Sequence, residues 1–529
     1  MSGPPRQMSP APAAGARLEV NPWLVAVSVM LATFMEVLDT SVANVALPHI
    51  AGNLSASTDE STWVLTSYLV SNAIVLPATA WLSSMFGRKR FLLACILIFT
   101  LASVLAGAAP TLGTLIVARV LQGAGGGALQ PISQAVLLES FPPDRRGAAM
   151  AVFGMGVVVA PILGPTLGGW ITDNYSWRWI FYINLPVGVA AMLMVRAFLE
   201  DPDYIRGRAP RRIDWIGLGL LALWLGVLQI VLDKGQEVDW FAADWLRVAT
   251  VVIAVAFVVF VIRELRTPDP IVDLRVLRNR NFAGGVVLIT VVGFVLYGTV
   301  ALLPLFLQTL MGYPALQSGY ATSPRGLGSI VAMIAVGRLV GRVDARYLIS
   351  TGFALLALSV FSLGRINLDI SMTSVIWPQV LNGLALGFIF VPLSASTTGT
   401  LPREQIGNAT GIFNLMRNVG GSVGISLVTT LLARHAQQHQ ALLTRHVTPY
   451  DPAASQWLAQ MQQALASRVG PAAAEEAARA ALYNVVLKQA MLLAFVDVFR
   501  LLAVLVLCCI PIVWLFRRTR APAGPVAAH

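Results

Sequence analysis

Glu36 and Asp39 stand three residues apart in the stretch FMEVLDTSVANVALP, residues 34–48. On a helix that spacing puts both carboxylates on one face. The surroundings are apolar, and two carboxylates inside a hydrophobic segment mark a functional site by default. Desolvation and mutual repulsion both favour the protonated form of such a group, the property a proton carrier needs. A carboxylate ending near the interface, or held in a structural pair, is the alternative. A cation of the same kind, Arg119, lies in VARVLQGAGGGALQP, 117–131, with Gln122 and Gly123 one turn on along its face. Unpaired, it would be prohibitive in an apolar segment, so it must meet a carboxylate, a carbonyl or water. Asp39 or Glu36 is the natural partner.

The segments that must position these groups are membrane spans. The chain has 529 residues, 56% hydrophobic and 12% charged, against about 25% charged in a soluble domain. Apolar stretches of about 20 residues recur along it. They number fourteen: 23–46, 62–84, 91–109, 112–137, 148–171, 179–199, 214–232, 246–263, 282–308, 317–340, 347–364, 374–397, 407–432 and 490–515. The Pro/Ala-rich tail 1–22 lacks the pattern of a cleaved secretory signal, so the first span is expected to be retained. Cys95, Cys508 and Cys509 all lie in apolar spans and read as small core residues.

Loop charge gives the orientation. With the N-terminus cytoplasmic, one side holds Arg88, Lys89, Arg90, Arg145, Arg146 and the arginines of 196–212, 263–280, 338–346, 403 and 517–520. The short loops of the other side hold only Arg178, Lys234, Arg247 and Arg365. The formal charge of +11 is then a topology signal and not a nucleic-acid signal. Both termini are expected inside.

The fifth span, Phe153–Trp170, carries five glycines and two prolines. At about 100° per residue, Gly154, Pro161, Gly164, Pro165 and Gly168 share one arc. Such a stripe suits ordinary small-residue packing, or a helix against which another backbone presses and slides. The second half echoes the first: Gly337–Arg346 sits between spans 10 and 11 as Ala80–Lys89 sits between spans 2 and 3, as expected of two duplicated six-helix bundles. Arg325 and Arg417 are further buried-cation candidates. Asp497 and Arg500, three apart in span 14, read as a local ion pair. Residues 433–489 read as a helical hairpin, broken near Thr448–Pro452 and at Gly470–Pro471, that is either a solvated linker or a docking surface for a partner.

Other motifs fail on context. Gly420–Gly424 matches G-x-S-x-G but lies in an apolar helix without a base. Gly123–Ala128 matches G-x-G-x-x-A without a preceding strand. His435 and His439, spaced i, i+4, lack a third metal ligand and read as a solvated helix face. No P-loop is present, which argues against ATP hydrolysis; no cofactor and no metal are expected, and the chain does not read as an enzyme.

Taken together, LDTSVANVALP (38–48), ARVLQGAGGGALQP (118–131), APILGPTLGGW (160–170), WRWIFYINLPVG (177–188), RRIDWIGLGLL (211–221) and PIVDLRVLRNRNF (270–282) resemble the EmrB/QacA family of fourteen-span major facilitator superfamily drug:proton antiporters, most closely its EmrB branch. The resemblance implies an all-α membrane fold of two bundles, 23–199 and 282–515, with a linker at 200–213, a two-helix insert at 214–263, the outer loop 433–489 and a C-terminal tail 516–529. It implies proton-driven multidrug efflux by alternating access, with Asp39, Arg119 and Glu36 in proton coupling. Gly154, Pro161, Gly164, Pro165, Gly168 and Gly169 would form the antiporter motif, and Gly87, Arg88, Lys89 and Arg90 the gate loop. That loop departs from the superfamily pattern, with Ala80 in place of the first glycine and Ser84 in place of the acid. Cavity candidates, chosen from span position, are Trp63, Tyr68, Gln122, Phe153, Tyr297, Phe413 and Arg417. EmrB-like permeases work with a periplasmic adaptor and an outer-membrane channel, which implies an inner-membrane location, such partners, and drug-like hydrophobic or amphipathic substrates. Export of an endogenous metabolite, lipid or siderophore, or a non-transporting scaffold, would use the same features.

Overall fold

The structure, a computed structural model, describes residues 21–142, 145–201, 214–340, 342–448 and 450–516. Most of the tail 1–22, of the linker 200–213 and of the tail 516–529 lies outside the described residues. The first half comprises α1 (Pro22–Asn53), α2 (Thr58–Phe86), α3 (Arg88–Ala108), α4 (Leu112–Gly126), α5 (Leu129–Ser140), α6 (Arg146–Asn174), α7 (Trp179–Tyr182) and α8 (Asn184–Phe198). A pair follows, α9 (Trp215–Lys234) and α10 (Asp244–Arg266). The second half comprises α11 (Arg280–Thr309), α12 (Ala315–Thr322), α13 (Pro324–Leu339), α14 (Ala345–Leu363), α15 (Met372–Thr398), α16 (Arg403–His446), α17 (Pro452–Val469), α18 (Pro471–Leu507) and α19 (Cys509–Val513).

Thirteen of the described helical segments are long and apolar enough to cross a membrane. The remaining expected span, 317–340, is present in two pieces. Pro324 has no amide hydrogen to continue the ladder, so α12 ends and α13 restarts there. Helix ends are set locally. Ser57 and Glu60 form a capping box on α2, Thr111 and Thr114 form one on α4, and Asp214 caps α9.

The two halves share one packing scheme. In the first, α1 packs on α6, α2 on α4, and α3 on α4 and α8; in the second, α11 packs on α16, α13 on α15, and α14 on α15 and α18. This is the correspondence that the echo between Ala80–Lys89 and Gly337–Arg346 foreshadows. The pair α9–α10 lies outside both bundles. α9 rests on α2 and touches α16, whereas only 17% of the most apolar stretch of α10 is buried.

The described connections near 87–90, 145–146, 263–280, 338–346 and 399–403 carry basic residues on one side of the alternating spans, here the basic end. The bundles meet mainly through α6 with α13 and α15, and through α16 with α2 and α5. Phe153 of α6 stacks on Phe390 of α15, centroids 6.1 Å apart. Thr410 donates to the Pro131 carbonyl at 3.2 Å, and Asn414 to Gln134 at 2.6 Å. At the far end α16 runs unbroken for 44 residues, about 66 Å at 1.5 Å per residue. With α17 and α18 it forms a three-helix extension, the turn into α18 made by Gly470 at φ 84°.

Candidate functional site

Asp39, Arg119 and Gln122 close on one another inside the first half. Arg119 Nη1 donates to Asp39 Oδ2 at 2.5 Å and to Gln122 Oε1 at 2.8 Å; Gln122 Nε2 donates to Asp39 Oδ1 at 2.8 Å. Arg119 Nε donates to the Val64 carbonyl at 3.0 Å. All three side chains are buried, Arg119 and Gln122 at 0% exposure. The guanidinium also lies over the Tyr68 ring at 4.3 Å and the Phe181 ring at 5.7 Å. Aromatic faces thus supply part of what water would give a cation.

α4 reaches this position because glycines let it press on α2. A Cβ at Gly123 would fall 2.4 Å from the Tyr68 carbonyl, and one at Gly127 2.5 Å from that of Asn72. Asn184, at the start of α8, completes the cage by donating to Asp39 Oδ1 at 2.7 Å and to Ser103 Oγ at 3.0 Å. Asp39 thus faces an arginine and two amide donors. Asp39 is the buried counter-charge of Arg119, and removing that charge would leave a buried cation uncompensated.

Glu36 sits on the same helix but faces the other half. Tyr68 OH and Asn72 Nδ2 donate to its Oε1, each at 3.2 Å, and Gln130 Nε2 donates to its Oε2 at 2.6 Å. Gln130 Oε1 in turn accepts from Arg417 Nη2 on α16. One glutamine therefore joins a carboxylate of the first half to an arginine of the second. Arg417 is 4% exposed, and its Nε has no hydrogen-bond partner among the described residues.

Asn72, Gln130 and Asn184 were not singled out in the sequence. The signal was present, since each is an uncharged amide inside an apolar span, but an amide is much less costly there than a charge and stands out less.

In the fifth span, α6, the small residues divide by depth. A Cβ at Gly154 would fall 2.8 Å from Met333 of α13. One at Gly164 would fall 2.2 Å from Ser41 Oγ, and one at Gly168 2.9 Å from Val42, both of α1. Gly169 meets nothing within 4 Å, so close packing does not account for it. Ser41 Oγ of α1 donates to the Pro161 carbonyl at 3.2 Å.

The stretch 87–90 is tied down by acids from elsewhere in the chain. Gly87 turns with φ 83°. Arg88, 5% exposed, pairs with Glu139 of α5, and Asp201 accepts from the Lys89 amide at 2.8 Å. Arg90 is exposed. The acid missing at Ser84 thus has substitutes that spacing could not reveal.

The cavity candidates separate. Tyr68, Phe153 and Phe413 are enclosed at 1% exposure or less and line no open space in this state. Gln122 belongs to the Asp39 cage, and Arg417 to the contact between the halves. Tyr297 lies on Gly421, and Trp63 lies beside Lys234 of α9, whose Nζ is 5.9 Å from the ring centroid. Arg325 is half-buried.

Two expectations are corrected. Asp497 does not pair with Arg500: it accepts from His439 at 2.7 Å, while Arg500 Nε donates to the Gly364 carbonyl at 3.0 Å. Accordingly His435 and His439 are not a solvated face. They point from α16 toward α18, where Asp497 lies 3.8 Å from His435 Nδ1. Among the described residues no group of three or more His, Cys, Asp or Glu could hold a metal ion.

Comparison with known proteins places this arrangement. The model of the Major Facilitator Superfamily matches residues 29–425. The chain is 41% identical over 443 residues to "Multidrug export protein EmrB" of Haemophilus influenzae, covering 83% of this chain and 86% of that protein. It is 39% identical over 454 residues to "Multidrug export protein EmrB" of Escherichia coli K12, covering 85% and 87%. It is 37% identical over 492 residues to "Fatty acid resistance protein FarB" of Neisseria gonorrhoeae, covering 93% and 95%. The fold is also similar to the crystal structure of the human organic anion transporter MFSD10, with a TM-score of 0.60 at 14% identity, covering 92% of this chain and 99% of that one.

Proposed function

The chain belongs to the major facilitator superfamily, on its EmrB branch, and from that premise we propose that it is a proton-driven exporter of hydrophobic or amphipathic toxic compounds. It is a multi-pass membrane transporter and not an enzyme. In our reading it sits in the inner membrane with the basic end and both termini in the cytoplasm.

The observation that carries the reading is the enclosed Asp39–Arg119 pair. A carboxylate enclosed in the membrane interior with an arginine as its counter-charge is an arrangement that a proton relay can use. A proton arriving at Asp39 neutralises it and leaves the Arg119 charge without compensation. The closed arrangement is then less stable, and the two halves change their relative tilt. One end of the small-residue face of α6 lies where such a change must occur, with Gly154 against Met333 of α13, whereas Gly164 and Gly168 set the packing on α1 within the first half. Substrate leaves when the far end opens, and the proton drives the return. The energy source in this scheme is the proton gradient, with no ATP site and no cofactor.

The far-end extension of α16, α17 and α18 is long enough to stand clear of a bilayer, and we assign it the docking of a periplasmic adaptor that continues to an outer-membrane channel. The relative named for fatty acid resistance favours a second reading of the substrate, an amphipathic lipid-like acid.

The test uses inside-out vesicles with an imposed proton gradient and a pH-sensitive dye. Adding hydrophobic weak acids, cationic dyes and bile salts should evoke proton release in the wild type and not in Asp39→Asn. Release that persists in Asp39→Asn would remove Asp39 from the coupling path.

A further inference from the structure

Tyr68 stands between the two charged clusters. Its hydroxyl donates to Glu36 Oε1 at 3.2 Å, and the Arg119 guanidinium lies over its ring at 4.3 Å. The side chain is 1% exposed. The hydroxyl occupies the space above Gly126, where a Cβ would fall 2.6 Å from it. From Arg119 the contacts continue to Asp39; from Glu36 they continue through Gln130 to Arg417 in the second half. Six side chains thus form an unbroken path from the first half into the second.

We propose that Tyr68 is the positioning residue that couples the protonation of Asp39 to the closure between the two halves, a role that rests on the proton-driven export reading above. The charges in contact along the path are Glu36 and Asp39 from α1, Arg119 from α4 and Arg417 from α16. The neighbouring elements α2, α5 and α8 contribute the uncharged Tyr68, Asn72, Gln130 and Asn184. With both carboxylates ionised, two anions balance two arginines. When a proton then binds the Asp39 carboxylate, one positive charge is in excess along the buried path, where separation from water is most costly. Arg119 loses its anion and is drawn toward Glu36, the remaining carboxylate of the path, across the Tyr68 ring. The tyrosine hydroxyl and Gln130 then compete with Arg119 for Glu36. Gln130 is released, and Arg417 loses its link to the first half. The basic end separates, and Arg417 gains water.

Two variants act on the hydroxyl by different routes. Tyr68→Phe removes it and keeps the ring under Arg119. Gly126→Ala keeps it and pushes it off Glu36. In purified, reconstituted protein, proton-driven uptake and gradient-free substrate exchange are measured side by side across pH 5.5–8.5. Both variants are expected to lower the ratio of driven uptake to exchange by about fivefold and to flatten its pH profile. A residue that only fills space lowers both rates together and leaves the ratio unchanged. Combining Tyr68→Phe with Glu36→Gln is expected to lower the ratio no further than Tyr68→Phe alone. Wild-type ratios and pH profiles in Tyr68→Phe, or strictly additive effects with Glu36→Gln, overturn the proposal. Absence of proton-driven uptake in the wild type overturns the export reading instead.

Discussion

Asp39 and Arg119 are separated by 80 residues of sequence and by 2.5 Å in space. Neither group is tenable in an apolar interior without the other, so the pair fixes how α1 and α4 sit together. Removing one partner from a buried pair costs about 3–5 kcal/mol, whereas replacing both by apolar groups of similar size is often neutral. Arg119→Leu is therefore expected to lower the melting temperature in detergent, and Asp39→Leu/Arg119→Leu to recover most of it. Neither should show substrate-evoked proton release. A double variant that melts no higher than the single one would mean that the pair is not the stabilising unit.

Gly164 and Ser41 form a steric lock between α6 and α1. With a Cβ only 2.2 Å from Ser41 Oγ, Gly164→Ala forces the helices apart, and such overpacking costs about 1–3 kcal/mol. Transport should fall by about tenfold, equivalent to about 1.4 kcal/mol. Ser41→Gly in the same chain should restore part of it, at the expense of the hydrogen bond to the Pro161 carbonyl. Gly169→Ala, which meets no neighbour here, should keep wild-type stability. If it abolishes transport all the same, Gly169 serves a state other than this closed one.

Arg88 is buried against Glu139 whereas Arg90 is exposed, so the basic cluster is not uniform. Arg88→Ala is expected to destabilise strongly, because it leaves the Glu139 carboxylate buried without that partner. Arg90→Ala should stay within about 0.5 kcal/mol. Asp201→Ala should cost about 1 kcal/mol through the lost hydrogen bond at the start of α3. Chemical denaturation of the purified variants ranks the three.

Asp214 caps α9 and pairs with Arg263 of α10 at 2.6 Å. Burial pushes its carboxyl up, but donation from Arg263 and the Gly217 amide outweighs that and holds it below the ordinary value of 3.8. A depressed folded-state value stabilises above the ordinary value and is lost as pH falls through the lowered one. The insert should therefore loosen below about pH 4, and Asp214→Asn should loosen it at neutral pH and remove that acid step. Hydrogen exchange over 215–266 as a function of pH reads both.

The far-end extension is held by His439 and Asp497, on α16 and α18. Removing residues 440–485 should abolish pull-down of a periplasmic adaptor while leaving proton-driven uptake in isolated vesicles. Loss of uptake in well-folded protein would place the extension inside the transport cycle.

The sequence by itself determined the membrane class, the expected spans and the grouping of basic loops, because hydropathy and loop charge are local properties written every 20 residues. It also singled out Asp39, Glu36 and Arg119, since a charge in an apolar run is visible without any fold. It separated the span at 317–340 no further than a hydrophobic stretch, although Pro324 was there to be read as its break. What only the tertiary structure decided was who meets whom. Spacing put Glu36 and Asp39 on one helix face, yet a 100° step per residue over three positions still leaves them about 60° apart. That difference is enough for Asp39 to face Arg119 within its own half and for Glu36 to face Arg417 through Gln130. The same holds for Asp497, whose near neighbour in sequence, Arg500, is not its partner. Long side chains choose partners across helix contacts, and those contacts are set by the packing of whole bundles and not by residues three or four apart.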